Sequence, residues 1–371
     1  MRRTLIVDWL DKYGGAERVI ASLQNAFRFE TMYALVNIMK PVDLKKITSN
    51  AKVEIITTPL QIFANFFRFF FFLFHYFISK IKVDRKFGTI ISSSHAIAKG
   101  VVKSDKKQLH ISYFQARNFK YIWDDAGLYF GKTRFIFQQL ISYLQKIDYK
   151  QAQRPDFIIS NSHFVKNWVK DKYHRDSVVI YPPVDVQQFV LQVQKEDYFV
   201  AVGRIVAYKR FDLIVEAFNQ TNEKLIIIGD GPELKKLKKK ARSNICFTGY
   251  IDAKTVHQYI SKAKGFLHIG IEDFGIAPIE AQATGTPVIA YNAGGIKETV
   301  LHQKTGILFQ EQTAEALLEA IALFETMNWN YEAIHHHVQF FATDRFEKEL
   351  LSFVEKCEME ASQDVLKHRK R

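Results

Sequence analysis

Short apolar runs alternate with amphipathic stretches and polar loops through most of this chain. In the first half, Thr4–Val7, Thr89–Ile91 and the middle of Arg154–Ser162 are continuous apolar runs of strand length. Runs of this kind suit strands covered on both faces, as in a parallel sheet. Between them, Ile20, Leu23 and Phe27 recur at helical spacing, and Ser162 stands as an N-cap before a predicted helix over His163–Lys172. The second half repeats the scheme, with strands predicted at Tyr198–Val202, Lys224–Ile228, Asn244–Tyr250, Ala263–Ile269 and Gly306–Phe309 and helices at Phe211–Asn219 and Thr313–Phe324. Such alternation predicts the α/β class. Pro182-Pro183 forces an extended segment and places an interdomain connector across 182–195. The expected domains are 1–184 and 195–339, followed by a helical stretch over 340–371.

Thr58–Lys82 breaks the pattern, because QIFANFFRFFFFLFHYFISKIK is dense in phenylalanine. Asn65, Arg68 and His75 interrupt it before the ~18 uninterrupted apolar residues of a membrane span, so no transmembrane helix is assigned. Two readings stay open. One is a helix buried against the first sheet; the other is an interfacial helix lying on a membrane, with Arg68, Lys80 and Lys82 near headgroups.

At 371 residues, with 47% hydrophobic and 25% charged positions, the chain has enough material for two separate cores and is not of disordered composition. A net charge of +13 favours anionic partners, among them nucleotide phosphates and an acidic membrane face. The two cysteines, Cys246 and Cys357, form neither a disulfide framework nor a metal-ligand spacing, which points to a reducing compartment. MRRTLIVDWL has too short an apolar run for a secretory signal and reads as a first buried strand.

The densest candidate chemistry lies in Ile269–Val300. An apolar run leads into Glu272, a Phe274-Gly275-Ile276 loop follows, and a helix is expected to open near Pro278 with Glu280 in its first turn. A strand, a glycine-bearing turn and a helix N-terminus aim backbone N–H groups at one point, which suits a phosphate or sugar hydroxyls. Arg204 and Lys209, five residues apart after a strand, can together neutralise a diphosphate. Gly14 and Gly15 allow close approach of a ligand at another helix N-terminus, and His95 follows Ser92-Ser93-Ser94, expected as the exit loop of a strand. Gly229-Asp230-Gly231 imitates half of a dinucleotide fingerprint, but Leu234 stands where a third glycine belongs. The consecutive His335, His336 and His337 point to different faces of a helix and make a poor metal cluster.

The spacing of Glu272 and Glu280 around Phe-Gly-Ile-x-Pro resembles the E-x7-E signature of retaining glycosyltransferases of family 4. GRIVAYKRFD resembles that family's donor-phosphate motif, GGAERV resembles its first loop, and SSSHAIAKG resembles a strand exit of bacterial O-antigen mannosyltransferase-like members. The resemblance implies the GT-B fold: two Rossmann-like domains facing across a cleft, with a C-terminal helix crossing back to the first. It further implies a nucleotide diphosphate sugar as donor, mannose favoured, and a lipid-linked glycan as acceptor. The expected location is the cytoplasmic face of the plasma membrane, bound peripherally, with no nucleic acid, cofactor or metal.

By the same resemblance, Glu272 faces the transferred sugar, Glu280 the ribose, and Arg204 and Lys209 the diphosphate. Tyr250 and Ile251 lie near the base, Phe274, Gly275 and Ile276 form the sugar loop, Gly14 and Gly15 face the donor phosphates, and His95 is a catalytic candidate. The sequence departs from the family at Gln115-Ala116-Arg117, where relatives carry His-x-Pro before a run matched here by Tyr121-Ile122-Trp123-Asp124. Gln115 can hydrogen-bond a sugar hydroxyl but cannot shuttle a proton. An inactive membrane-docked nucleotide-sugar binder and an NAD-dependent oxidoreductase are the alternatives.

Overall fold

The computed structural model describes residues 1–49, 52–124, 127, 131 and 134–369. Asp125, at the end of the YIWDD stretch, and the basic end Lys370-Arg371 lie outside the described residues. The chain forms two compact units, Met1–Pro183 with Asp344–Arg371, and Val184–Thr343.

The first unit is built on seven parallel strands: β1 Arg3–Val7, β2 Thr31–Ala34, β3 Glu54–Thr57, β4 Thr89–Ser94, β5 Leu109–Phe114, β6 Phe157–Ser160 and β7 Val178–Val179. Their spatial order is β3-β2-β1-β4-β5-β6-β7. The two-residue period of β1 explains why both faces are covered. Leu5 and Val7 pack with Val19, Ile20 and Leu23, while Ile6 packs with Phe67, Phe74 and Ile97 on the other side. The final helix, Thr343–Arg369, returns to this unit and buries Phe346, Leu350 and Val354 in the Leu5 layer. It starts three residues later than the resemblance implied, because Val338–Phe341 is a 3-10 turn and Ala342 is extended.

The second unit carries six parallel strands, β8 Glu196–Val202, β9 Leu225–Ile228, β10 Ile245–Gly249, β11 Ala263–His268, β12 Val288–Tyr291 and β13 Gly306–Phe309, in the order β10-β9-β8-β11-β12-β13. Here too alternate residues of one strand feed separate layers: Phe199 and Ala201 one, Tyr198 and Val200 the other. Most of the expected connector belongs to this unit. Val184 bridges to Ala342, and Val186 and Phe189 are buried.

Three local expectations change. Ser92, Ser93 and Ser94 are not an exit loop but the end of β4, paired with Ser112, Tyr113 and Phe114 of β5. Their hydroxyls are satisfied inside the sheet, Ser92 by His110 and Ser112, Ser93 by Gln115 and Ser94 by Asn118, so polar residues continue a buried strand. The helix after Gly275 opens at Ile276 and runs to Ala283, two residues earlier than expected, which leaves Glu280 beyond its first turn.

The third change concerns the phenylalanine stretch, which is neither a wholly buried helix nor one continuous surface helix. Pro59–Lys80 is long and apolar enough to cross a membrane by length and composition alone. In the fold it is a 3-10 segment, Pro59–Leu73, kinked at Ala64 (φ 40°), followed by an α-helix over Phe74–Lys80. Leu60, Phe67, Phe74 and Ile78 are core residues, whereas Ile62, Phe66, Phe69 and Tyr76 are each more than half exposed. Arg68 pairs with Asp11 and lies over the rings of Trp9 and Phe67.

Candidate active site

In the second unit the order of strands reverses between β8 and β11, so the loops leaving these two strands diverge and form a crevice at their carboxyl ends. Lys209 follows β8 and Glu272 follows β11, and they meet there with Nζ 2.8 Å from Oε1, the side chains 18% and 25% exposed. Glycines make this approach possible. Gly203 has φ 153°, and a Cβ on it would stand 2.9 Å from Lys209 Nζ. On the other side Gly294, at φ 71°, lies so close to the Glu272 carbonyl that a Cβ would come within 2.4 Å of it, and Gly295 N–H donates to that carbonyl at 2.9 Å. The Gly294-Gly295 turn thus braces the Glu272 loop, a role that the sequence reading passed over.

Around this pair, Arg204 is exposed two residues past the end of β8, and among the described residues its guanidinium makes no hydrogen bond. Gly275, with φ 93°, caps the helix Ile276–Ala283 without a side-chain acceptor, leaving first-turn N–H groups for a ligand. The Phe274 side chain is buried in a T-shaped contact with Phe341, so the backbone is what it offers the site. Ile276 and Glu280 are half-buried on the same helix. Tyr250 is 86% exposed just beyond Gly249, and the adjoining Ile251 packs partly into the core. His268, the last residue of β11, is buried with Nε2 unpartnered among the described residues. Burial pulls its pKa below the ordinary value against the opposing pull of Glu272.

Glycine positions also account for the half-fingerprint at Gly229-Asp230-Gly231. A Cβ on Gly229 would meet the Gly203 carbonyl at 1.9 Å, and one on Gly231 the Ile205 carbonyl at 2.2 Å. Close packing of the two strand exits requires these glycines, without a dinucleotide. Nor do the histidines gather: His335 bonds the Ala283 carbonyl and His337 the Thr299 carbonyl. No group of metal-ligating side chains occurs among the described residues.

The first unit has its own reversal, between β1 and β4. Gly14 caps the helix Gly15–Phe27 there, again with no side-chain acceptor. His95, just past β4, is one-quarter exposed and bonded through Nδ1 to Asp8, just past β1. Gln115 follows β5; its amide donates to Ser93, while Oε1 is buried and unpartnered among the described residues, an acceptor suited to a hydroxyl. The Trp123-Asp124 run is structural: Trp123 Nε1 donates to Asp148, and Asp124 accepts from Trp168 Nε1 at 2.6 Å.

Residues 184–337, which hold Arg204, Lys209, Glu272 and Glu280, match the family model described as Glycosyl transferases group 1. A GDP-mannose-dependent α-(1-6)-phosphatidylinositol monomannoside mannosyltransferase of Mycobacterium tuberculosis is 31% identical over 141 residues, 33% of this chain and 37% of that protein. The chain spans about a third to a half of the length of the curated relatives it matches. Among solved structures, a lipopolysaccharide outer core galactosyltransferase in its apo form superposes with TM-score 0.69 at 17% identity, covering 96% of this chain and 100% of that one. Anabaena HepE in complex with UDP and glucose superposes with TM-score 0.66 at 15% identity, covering 96% and 100%. The chain therefore has the GT-B architecture of two Rossmann-like parallel-sheet domains, and its segment 184–337, the one that holds the Lys209–Glu272 crevice, carries the likeness to group 1 glycosyl transferases.

Proposed function

We propose that the chain is a retaining glycosyltransferase that moves a hexose, mannose favoured, from a nucleotide diphosphate sugar to a lipid-linked glycan. The observation that carries this reading is the Lys209–Glu272 contact at the strand reversal of the matched segment. Lys209 and Arg204 neutralise the diphosphate as it leaves, which lowers the barrier where negative charge develops and takes the place of a metal ion. Glu272 stands beside the reacting sugar, where positive charge develops at the anomeric carbon. Glu280 accepts hydroxyl hydrogens of the ribose, and first-turn N–H groups of Ile276–Ala283 hold sugar or phosphate oxygens. Retention follows from front-face attack, in which the leaving phosphate oxygen takes the acceptor proton.

The lipid-linked acceptor and a peripheral cytoplasmic location rest on the phenylalanine stretch. Its exposed Ile62, Phe66 and Phe69 offer an apolar face to lipid, and no acidic residue occurs between Glu54 and Asp84 to repel an anionic surface. Through Phe67 and Phe74 the same stretch touches Trp9, which in turn touches His95. A thermal-shift panel of GDP-mannose, UDP-glucose, UDP-N-acetylglucosamine and ADP-glucose tests the donor assignment. One nucleotide sugar is expected to raise the melting temperature by several degrees; no shift with any of them contradicts it.

A further inference from the structure

The two strands that flank the reversal of the first sheet end in residues that bond to each other. Asp8 has no exposed side-chain surface. Its carboxylate accepts N–H from His95 at 2.6 Å, Ala96 at 3.0 Å, Ile97 at 2.6 Å and Ala98 at 2.6 Å, and the His95 imidazole adds Nδ1 at 2.9 Å. A carboxylate this deep is costly unless its charge is matched, and among the described residues His95 is the one cation-forming side chain in contact with it. Trp9 fixes the ring from another side in a T-shaped contact with centroids 4.6 Å apart. With Nδ1 engaged and the ring one-quarter exposed, Nε2 is the atom left to meet a ligand.

We propose that Asp8 is a positioning residue that holds His95 as an imidazolium, so that His95 meets the acceptor as a cationic Nε2–H donor and not as a general base. This rests on the glycosyltransferase reading above. The charged groups around the ring agree with it. Asp8 after β1, Glu17 on the helix Gly15–Phe27 and Asp11 in the intervening loop all favour the charged ring. Burial alone pulls the His95 pKa down, but the Asp8 carboxylate outweighs it and raises the ring above its ordinary value.

The test is a 15N-histidine NMR titration of the full chain, with the His95 signals assigned by their loss in His95→Gln. In the wild type the ring is expected to titrate above the ordinary 6.5, both nitrogens protonated below that point, and in Asp8→Asn to titrate at or below 6.5. A wild-type ring that titrates at or below 6.5, or an unchanged titration in folded Asp8→Asn, overturns the proposal. Should Asp8→Asn fail to fold, the wild-type nitrogen shifts decide alone. The rate profile adds a second readout: kcat/KM for the acceptor falls as pH rises through the His95 titration, whereas a rise makes His95 a base and sinks the idea. Absence of transfer with every donor would overturn the glycosyltransferase reading while leaving the NMR signature of the Asp8–His95 pair in place.

Discussion

Lys209 Nζ lies 2.8 Å from Glu272 Oε1, joining the loop after β8 to the loop after β11 at the point where the second sheet reverses. The pair is part-exposed, and such pairs contribute about 0–1 kcal/mol to stability. On the proposed reading its value is in the site, where a diphosphate would compete with Glu272 for the Lys209 ammonium. Arg204→Ala and Lys209→Ala are each expected to lower kcat/KM by about 2–4 kcal/mol of transition-state stabilisation, with melting temperatures unchanged. Turnover within twofold of wild type in both variants would remove the diphosphate clamp.

The phenylalanine stretch divides by face, and so do its variants. Replacing the exposed Ile62, Phe66 and Phe69 together by Ser is expected to abolish binding to anionic vesicles in a flotation assay while preserving a cooperative melt. Phe67→Ala, by contrast, opens a cavity beside Trp9 and Phe74 and is expected to cost about 3–5 kcal/mol in urea unfolding. Undiminished vesicle binding by the triple variant rules out this face as the lipid contact.

Stability should follow pH through Asp8 and His95. Burial alone would raise the Asp8 pKa, but the His95 ring and the backbone N–H groups hold it down at about 2, below its ordinary 3.8. A lowered carboxyl contributes stability that is full above 3.8 and lost as pH falls through about 2, roughly 2 kcal/mol here. His95 is raised, so its share is present below 6.5 and lost as pH rises through its folded value. One contact underlies both effects, and they are not to be added. Urea-unfolding free energies at pH 6 and pH 8 are expected to fall for the wild type and to fall less for His95→Gln; equal slopes would contradict this.

Lys99 and Asp148 form a fully buried pair at 2.6 Å, and Asp148 also accepts from Trp123 Nε1 and Tyr173 Oη. Lys99→Ala strands that carboxylate in the core, with an expected loss of about 3–5 kcal/mol in chemical denaturation. A loss below about 1 kcal/mol would mean that Trp123 and Tyr173 satisfy Asp148 alone.

Sequence period made the sheets legible, because strands buried on both faces appear as unbroken apolar runs. It failed where burial is polar. Ser92–Ser94 extend β4 only because partners on β5 and beyond it take up their hydroxyls. Asp8 and Lys99 look like surface charges in the sequence, and their partners His95 and Asp148 stand 87 and 49 positions away. Glu272 and Lys209 were legible as motif residues, but not their contact, which depends on the backbone close approaches at Gly203 and Gly294. The two faces of the phenylalanine stretch were hidden by the kink at Ala64, which breaks any single helical period.

The most direct check of sugar transfer is the anomer first released. With the donor that scores in the thermal-shift panel, chelator present, slow hydrolysis can be followed by 1H NMR before the free sugar mutarotates. The hexose is expected to appear first in the anomeric configuration it had in the donor, at a rate that chelator leaves unchanged and Lys209→Ala lowers by about 30-fold or more. Initial release of the opposite anomer, or a rate abolished by chelator and indifferent to Lys209, would contradict a retaining, metal-independent transfer at the Lys209–Glu272 crevice.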